Sequence, residues 1–194
     1  MRASLLRLLV LLAVWGLAAA VAGALHLLAR LPVFAGPLLI ASLTAGFSVA
    51  LTRVNGLKAA VLALSPRTIL ALHLIRFIGA YFLWLHTQGR MPAEFAHRAG
   101  WGDIVAAAGA LGLLCWPEGA SFRRILFWWN LVGAADLVLA VGTAGWLTVT
   151  RPGSMIEITQ LPLALIPLWA VPVLFASHIV LYRAWRDQGR STAA

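Results

Sequence analysis

The stretch RTILALHLIRFIGAYFLWLH, residues 67–86, decides the fold class of this chain. It is long and apolar enough to cross the hydrocarbon core of a bilayer, which takes about 20 mostly apolar residues in a helix. His73 and Arg76 nevertheless lie inside this apolar run, one helical turn apart. An ionisable side chain at the middle of a membrane helix costs roughly 2.5–3.5 kcal/mol on insertion scales, so each of the two residues requires a partner or a function.

The rest of the chain has the same character. Of its 194 residues, 62% are hydrophobic and only 11% are charged, and the mean hydropathy is +0.91. A soluble domain of this size needs more charge to cover its surface. The sequence therefore predicts an all-α, polytopic integral membrane helical bundle that forms a single transmembrane domain over residues 1–194.

Six apolar segments are predicted to span the membrane, at about residues 5–29, 33–52, 68–88, 103–117, 123–148 and 160–182. The first is longer than the roughly 7–15 apolar residues of a cleaved signal peptide, which favours an uncleaved span. In the last, Pro167 and Pro172 each remove a backbone hydrogen bond. This pattern predicts a kinked helix that faces protein or water rather than lipid.

The basic residues predict the orientation of the chain. Its net charge is +9, but the basic residues lie between apolar runs and form no patch or motif typical of nucleic-acid binding. With both termini in the cytoplasm, ten basic residues face inward and four face outward, as the positive-inside rule requires. The inward residues are Arg2, Arg7, Arg53, Lys58, Arg67, Arg123, Arg124, Arg183, Arg186 and Arg190, and the outward ones are Arg30, Arg90, Arg98 and Arg151. The chain has one lysine among its 15 basic residues, which favours a bacterial origin. We therefore expect a multipass protein in the lipid bilayer of the bacterial inner membrane, with both termini in the cytoplasm.

Polar residues at membrane depth are the candidate functional residues. At about 1.5 Å per residue, Arg76 lies roughly 12 Å and Asp136 roughly 18 Å from the cytoplasmic side, a gap that an arginine side chain bridges. Together with Asn130, a neutral partner on the same span as Asp136, they form the predicted ligand or proton site. The alternative is an ion pair that only locks two helices together.

His73 and His178 lie at matched depths on different spans, about 8 Å from the cytoplasmic side. Two neutral imidazoles on different helices are the axial ligands of a b-type haem, whose propionate Arg76 would neutralise. Haem b is therefore the one cofactor that the sequence suggests, and interhelical hydrogen bonding is the alternative. No metal site is predicted, because the single cysteine, Cys115, forms no thiolate cluster and the outward histidines match no ligand spacing.

The sequence GWGD, residues 100–103, matches the Gly-x-Gly-Asp motif of intramembrane aspartyl proteases. In those enzymes the partner aspartate precedes the motif, whereas no aspartate precedes Asp103 here. We therefore predict a glycine-rich turn in which Asp103 caps the fourth helix.

The stretch RFIGAYFLWLHTQGRMPAEFAHRAGWGDIVAAAGAL contains the pattern Arg-x-x-Gly, then Gly-x-x-Pro-x-x-Phe-Ala, then Ala-Gly-x-Gly-Asp. With FWWNLVGAADLVLAVGTA and IPLWAVPVLFASHIVLY, it resembles an uncharacterised family of bacterial multipass membrane proteins over about residues 68–183. The resemblance implies a membrane protein and carries no activity.

Three functions follow from these patterns. The leading hypothesis is a multipass membrane protein whose buried polar cluster binds a small ligand, a proton or a cofactor. The second is a redox protein that uses haem b or a quinone. The third is a non-catalytic membrane subunit or assembly factor that binds other membrane subunits. Catalytic residues are not identified, since no Gly-x-Ser-x-Gly, His-Glu-x-x-His or P-loop motif is present, and whether the protein is an enzyme stays open.

Overall fold

The computed structural model describes residues 2–191, with the side chains of residues 3–186, and it contains helices and no strand within that range. The side chains of Arg2 and Arg190, used above for the orientation, lie outside this range. The α-helices are α1 (Arg2–Ala24), α2 (Ala35–Arg53), α3 (Asn55–Leu62), α4 (Pro66–Leu72), α5 (Gly79–Thr87), α6 (Ala93–Cys115), α7 (Ala120–Thr150) and α8 (Val171–Ser191). Short 3₁₀ helices cover Leu28–Arg30, His73–Ile78 and Ile156–Thr159, and a π-helical turn covers Ile166–Ala170. The predicted all-α helical bundle is confirmed.

Five segments of residues 2–191 are helical over a sufficient length and apolar enough to cross a membrane. They are Ala3–Ala24, Ala35–Arg53, Pro66–Thr87, Ala120–Thr150 and Ile166–Arg186. They correspond to five of the six predicted spans. The sixth long helix, α6, has 23 residues, but three charged residues in its first half make it more polar than the others. A bundle with these helices fits a membrane protein.

The surface of the bundle supports this assignment. Large apolar side chains point outward from several helices, among them Leu17 (67% exposed), Leu38 (66%) and Leu139 (65%). Soluble monomers rarely expose continuous apolar surface of this kind, whereas a membrane protein presents it to lipid. The buried core lies between the helices and includes Leu51 of α2, Ala60 of α3 and small residues of α6 such as Ala107 and Ala110.

The third predicted span is not one regular helix. Pro66 is in the first turn of α4, and the Ser65 side chain caps it by accepting a hydrogen bond from the Thr68 backbone N–H at 3.1 Å. The chain then tightens into the 3₁₀ helix His73–Ile78 before it continues as α5. With three residues per turn, side chains at i and i+3 eclipse each other in a 3₁₀ helix. His73 and Arg76 are such a pair, and they therefore project from the same edge.

The fourth predicted span is wrong at its start. Helix α6 begins at Ala93, ten residues before Asp103, so that Gly100–Asp103 lies within the helix and not in a turn. Gly100 has a packing role: a Cβ at this position would lie 2.9 Å from the Gly79 carbonyl oxygen and 3.0 Å from Leu83 Cγ on α5. The glycine thus allows two helix backbones to cross closely, and the predicted glycine-rich turn is wrong.

The predicted kink in the last span is confirmed as a π-helical turn at Ile166–Ala170, which contains Pro167. Insertions of this kind accommodate a residue that cannot take part in the regular i→i−4 hydrogen-bond ladder. Neighbouring helices bury Leu168, Ala170 and Leu174. A helix that faced lipid would expose such apolar side chains.

Candidate functional site

Arg76 joins three helices at the centre of the bundle. Its side chain is 1% exposed. Nε donates a hydrogen bond to Asp103 Oδ1 on α6 at 2.7 Å, and Nη2 donates to Asp136 Oδ2 on α7. Nη1 donates to the Gly133 carbonyl oxygen at 3.2 Å. The predicted contact between Arg76 and Asp136 is confirmed, and Asp103 is a second carboxylate that the sequence analysis placed elsewhere.

Asp103 does not cap a helix. It lies in the eleventh position of α6 and is 8% exposed, on the face that packs against the 3₁₀ helix and α7. Because α6 starts earlier than predicted, Asp103 lies at the level of Arg76 and not at the start of the helix, where it was predicted. Gly102, one residue before it, leaves the space that the Asp136 carboxylate occupies. The Gly-x-Gly-Asp pattern therefore marks this contact between α6 and α7.

The signal that would have placed Asp103 correctly is its spacing from a helix start. Pro92 precedes the segment, and prolines are common at the beginning of helices. From Pro92 to Asp103 is about three helical turns, or roughly 16 Å along the axis. This depth is close to that estimated for Arg76 and Asp136 within a membrane about 30 Å thick.

The charges of the cluster do not balance. One guanidinium, that of Arg76, faces the two carboxylates of Asp103 and Asp136, so the three groups carry a net charge of −1 when both acids are ionised. Separating an uncompensated charge from water is expensive in a low-dielectric interior. The cluster therefore favours the binding of one additional positive charge or proton.

The two histidines also lie in this cluster, each with a defined hydrogen-bond partner. His73 Nε2 lies 2.8 Å from Ser177 Oγ, and this hydroxyl donates to the Leu174 carbonyl oxygen at 2.7 Å. Since the Ser177 hydrogen is used there, His73 Nε2–H is the donor to Ser177. A proton on Nδ1 as well would be buried without an acceptor, so His73 is assigned as a neutral imidazole with a lone pair on Nδ1.

His178 is held as the other neutral tautomer. Asn130 Nδ2 donates to the His178 carbonyl oxygen at 3.1 Å, which turns Asn130 Oδ1 towards the ring. His178 Nδ1 lies 2.8 Å from this oxygen and therefore donates to it. Asn130 was predicted to join Arg76 and Asp136, but its observed hydrogen bonds are to His178. His73 Nδ1 and His178 Nε2 are both buried with no hydrogen-bond partner among the described residues.

The matched depth of His73 and His178 is confirmed, but the arrangement does not fit haem. Their ring centroids are 4.5 Å apart, with 52° between the planes, and Trp129 packs edge-on to His73 at 4.9 Å. With metal–nitrogen bonds of about 2 Å, two axial imidazoles on opposite sides of one iron have centroids roughly 6 Å apart. The rings contact each other directly, and the porphyrin that would separate them has no space.

Two cavities adjoin the polar cluster: Asp103 lines the larger one, and Asn130 and His178 line the smaller one. The larger has a volume of about 230 Å³ and contacts α7 from Leu137 to Thr148. Its lining is mostly apolar, includes Phe82 and Phe95, and reaches Asp103. The smaller, of about 200 Å³, contacts α7 from Phe127 to Ala134. Its lining on α8 includes Phe175, Tyr182 and His178, and Asn130 faces it from α7.

The segment after α7 forms one wall of the larger cavity, and ion pairs hold it in place. Met155, Ile156 and Ile158 are among the lining residues. Glu157 in the same segment forms a bidentate ion pair with Arg90. Arg90 Nε donates to Glu157 Oε1 at 3.0 Å, and Arg90 Nη2 donates to Glu157 Oε2 at 2.7 Å. A second ion pair, from Arg151 to Glu94 at 2.7 Å, fastens the end of α7 to the start of α6.

Outside the cluster, His86 and His97 pack against each other with centroids 5.0 Å apart. Within residues 2–191, no three His, Cys, Asp or Glu side chains lie close enough together to hold a metal ion.

The comparisons with known proteins bear on the resemblance seen over about residues 68–183. No curated protein and no solved structure matches the chain. One family model, described as Domain of unknown function (DUF8737), matches residues 37–185 and agrees with the prediction of an uncharacterised family. Because this match covers most of the chain, the protein belongs to that family.

Proposed function

We propose that the protein is a multipass protein of a bacterial cytoplasmic membrane that binds an apolar small molecule in its larger cavity, with the polar end of the ligand at Asp103. The observation that carries this proposal is the combination of a mostly apolar lining with one buried carboxylate. Ligand sites in proteins have this composition, since apolar surface provides affinity and a few polar groups fix orientation.

The chemistry of Asp103 selects the polar end of the ligand. Oδ1 already accepts a hydrogen bond from Arg76, while no described residue bonds Oδ2. A carboxylate oxygen accepts hydrogen bonds, and the cluster carries an excess negative charge when both acids are ionised. We therefore expect a hydroxyl or ammonium group at the head of the ligand and disfavour a carboxylate.

Matched amphiphiles test this proposal. The protein is reconstituted into phosphatidylcholine nanodiscs, and octylammonium, octanol and octanoate are titrated while the thermal unfolding temperature is measured. We expect octylammonium and octanol to raise this temperature and octanoate to leave it unchanged. Asp103→Asn is expected to abolish the response to octylammonium, whereas Glu118→Gln, an exposed acid that pairs with Arg67, serves as the charge-matched control. Equal responses to all three probes, or an unchanged response in Asp103→Asn, would contradict the proposal.

The proposed topology is tested separately. In a Cys115→Ser background, single cysteines replace Ser4, near the start of α1, and the exposed Gln88, after α5. With six crossings and both termini in the cytoplasm, an impermeant maleimide added to intact cells labels Gln88→Cys and labels Ser4→Cys only after permeabilisation. The reverse labelling pattern would mean that both termini lie outside the cytoplasm. Labelling of both cysteines in intact cells would put them on the same side of the membrane and would contradict three crossings between them.

The alternative of a non-catalytic membrane subunit draws on the same hydrogen bonds, because the Arg76 ion pairs also clamp the 3₁₀ helix to α6 and α7. The two accounts differ in the cavity. If the polar cluster serves packing alone, Asp103→Asn lowers stability and no amphiphile distinguishes it from the wild type. The haem-based alternative is not supported by the contact between the two imidazole rings.

A further inference from the structure

When both acids are ionised, the polar cluster has one negative charge more than its cation, Arg76, can balance. The titratable groups of the cluster that contains Asp103 are Arg76 and His73 on the 3₁₀ helix, Asp136 on α7 and His178 on α8. The two imidazoles are assigned as neutral, since each donates one N–H towards Ser177 or Asn130 and a second N–H would be buried without an acceptor. Arg76 with two ionised carboxylates therefore leaves one negative charge in excess.

A single proton on one carboxyl brings this cluster to neutrality. The imidazoles are poor sites for it, because both are buried and lie beside the Arg76 guanidinium: a Cβ on Gly133 would be 3.3 Å from both Arg76 Nη1 and His178 Nε2. A carboxyl is the better site, because the proton removes a buried negative charge there and creates no new positive one.

Both carboxyls have one oxygen that accepts no hydrogen bond from the described residues, Oδ2 of Asp103 and Oδ1 of Asp136. Asp103 is the one that lines the larger cavity, and its side chain is the less exposed of the two, at 11% against 16%. Its Oδ1 accepts from Arg76 Nε, which a neutral carboxyl continues to do through its carbonyl oxygen. Its Oδ2 receives no hydrogen bond from the described residues, and Asp103 lines the larger cavity. A proton on Asp103 would thus lie at the wall of that cavity.

We propose that a ligand with an ammonium head exchanges with this proton. When the ammonium group binds beside Asp103, the O–H bond at Oδ2 breaks, its electron pair stays on the carboxylate, and the proton leaves to water. The cluster is neutral before the exchange, with Arg76 balanced by Asp136, and neutral after it, with Arg76 and the ligand balanced by both acids. A low-dielectric interior favours two states that are both neutral, since neither leaves an uncompensated buried charge.

This inference rests on the proposed function and narrows its ligand class to primary amines with an apolar tail. It makes binding depend on pH: acid keeps the proton on Asp103 and competes with the amine, while octanol, which carries no charge, displaces nothing. Binding of one cation is then coupled to the release of one proton.

Calorimetry in several buffers measures the coupling. The heat of octylammonium binding to the wild-type protein in nanodiscs is recorded in buffers of different ionisation enthalpy, and the slope gives the number of protons released per amine bound. We expect a value close to one for octylammonium and close to zero for octanol. The Glu118→Gln control is expected to keep the wild-type value.

Asp136→Asn provides a variant that retains the proposed ligand-binding carboxylate. Here Arg76 and Asp103 balance each other without a proton, so amine binding should release almost none and should be weaker. Amine binding to the wild type without proton release would overturn the exchange while leaving the proposed function intact. A wild-type release that persists undiminished in Asp136→Asn would also overturn it, because the charge count predicts its loss. If octylammonium does not bind the wild type at all, the proposed function fails, and this inference fails with it.

Discussion

Two arginines of this protein make similar hydrogen bonds in opposite surroundings. Arg76 forms ion pairs with Asp103 and Asp136, and its side chain is 1% exposed. Arg90 forms an ion pair with Glu157, and its side chain is 48% exposed. Both bonds from Arg90 have good geometry, at 2.7 and 3.0 Å. The difference lies in the cost of removing one partner, because water replaces a lost partner at the surface and cannot do so in the core.

The largest effect is expected from Arg76→Leu. This change leaves two carboxylates buried without a counter-charge, and removal of one partner from a buried ion pair costs about 3–5 kcal/mol. The free energy of unfolding, measured in mixed micelles with increasing SDS, should fall by that amount or the folded protein should no longer be recovered. An unchanged free energy of unfolding in this variant would contradict the prediction. It would mean that Asp103 and Asp136 are hydrated or protonated without loss of stability when Arg76 is absent.

Gly133→Ala is expected to have the next largest effect. The new Cβ would lie 2.8 Å from His178 Cε1 and 3.3 Å from Arg76 Nη1, and both side chains are fixed by their own hydrogen bonds. Overpacking of this kind costs about 1–3 kcal/mol. Gly142→Ala in the same helix is the matched control, since its Cβ would meet nothing within 4 Å. Equal stabilities of the two variants would show that the contact between α7 and α8 is looser than described.

Asn130→Leu tests the tautomer of His178. The substitution removes the acceptor of His178 Nδ1–H and the donor to the His178 carbonyl oxygen, and an unpartnered buried polar group costs about 1–3 kcal/mol. In ¹⁵N spectra of histidine-labelled wild-type protein, His178 should carry its proton on Nδ1 and His73 on Nε2.

Ser177→Ala is the complementary change, because it removes the partner of His73 and leaves that of His178 in place. The ¹⁵N signals of His73 should change in this variant and those of His178 only in Asn130→Leu. Identical tautomers for the two residues in the wild type would contradict the described network.

The smallest effect is expected from Arg90→Leu. Exposed ion pairs contribute about 0–1 kcal/mol, and loss of the bond to Glu157 should change the free energy of unfolding by no more than that. Because Glu157 belongs to the segment that walls the larger cavity, the variant should instead bind and release octylammonium faster. A loss of stability as large as that of Arg76→Leu would remove the contrast between the two arginines.

Most of the fold could be predicted from the sequence, because long apolar runs and the spacing of basic residues are strong signals of membrane helices. The contact between Arg76 and Asp136 followed from depth alone. The position of Asp103 did not, since Gly100 and Gly102 read as a turn when their real role, close helix crossing, depends on residues of α5 and α7. Interhelical contacts of this kind have no signature in local composition.

The pairing of the histidines shows the same limit. Their matched depth was evident from residue counts, and it is observed. Whether two imidazoles at one depth face each other across a metal or touch directly depends on helix rotation and separation, which the 3₁₀ helix His73–Ile78 and the π-helical turn at Ile166–Ala170 set. Neither irregular turn follows from hydrophobic periodicity.

The central claim is that Arg76, Asp103 and Asp136 form one buried charge cluster, and its most direct test is a rescue experiment. The free energy of unfolding is measured for Arg76→Leu and for the triple variant Arg76→Leu/Asp103→Asn/Asp136→Asn. Because the triple variant has no buried charge left to compensate, it should recover most of the stability that Arg76→Leu loses. A triple variant less stable than Arg76→Leu alone would contradict the cluster, since it would show that the two carboxylates stabilise the protein independently of the arginine.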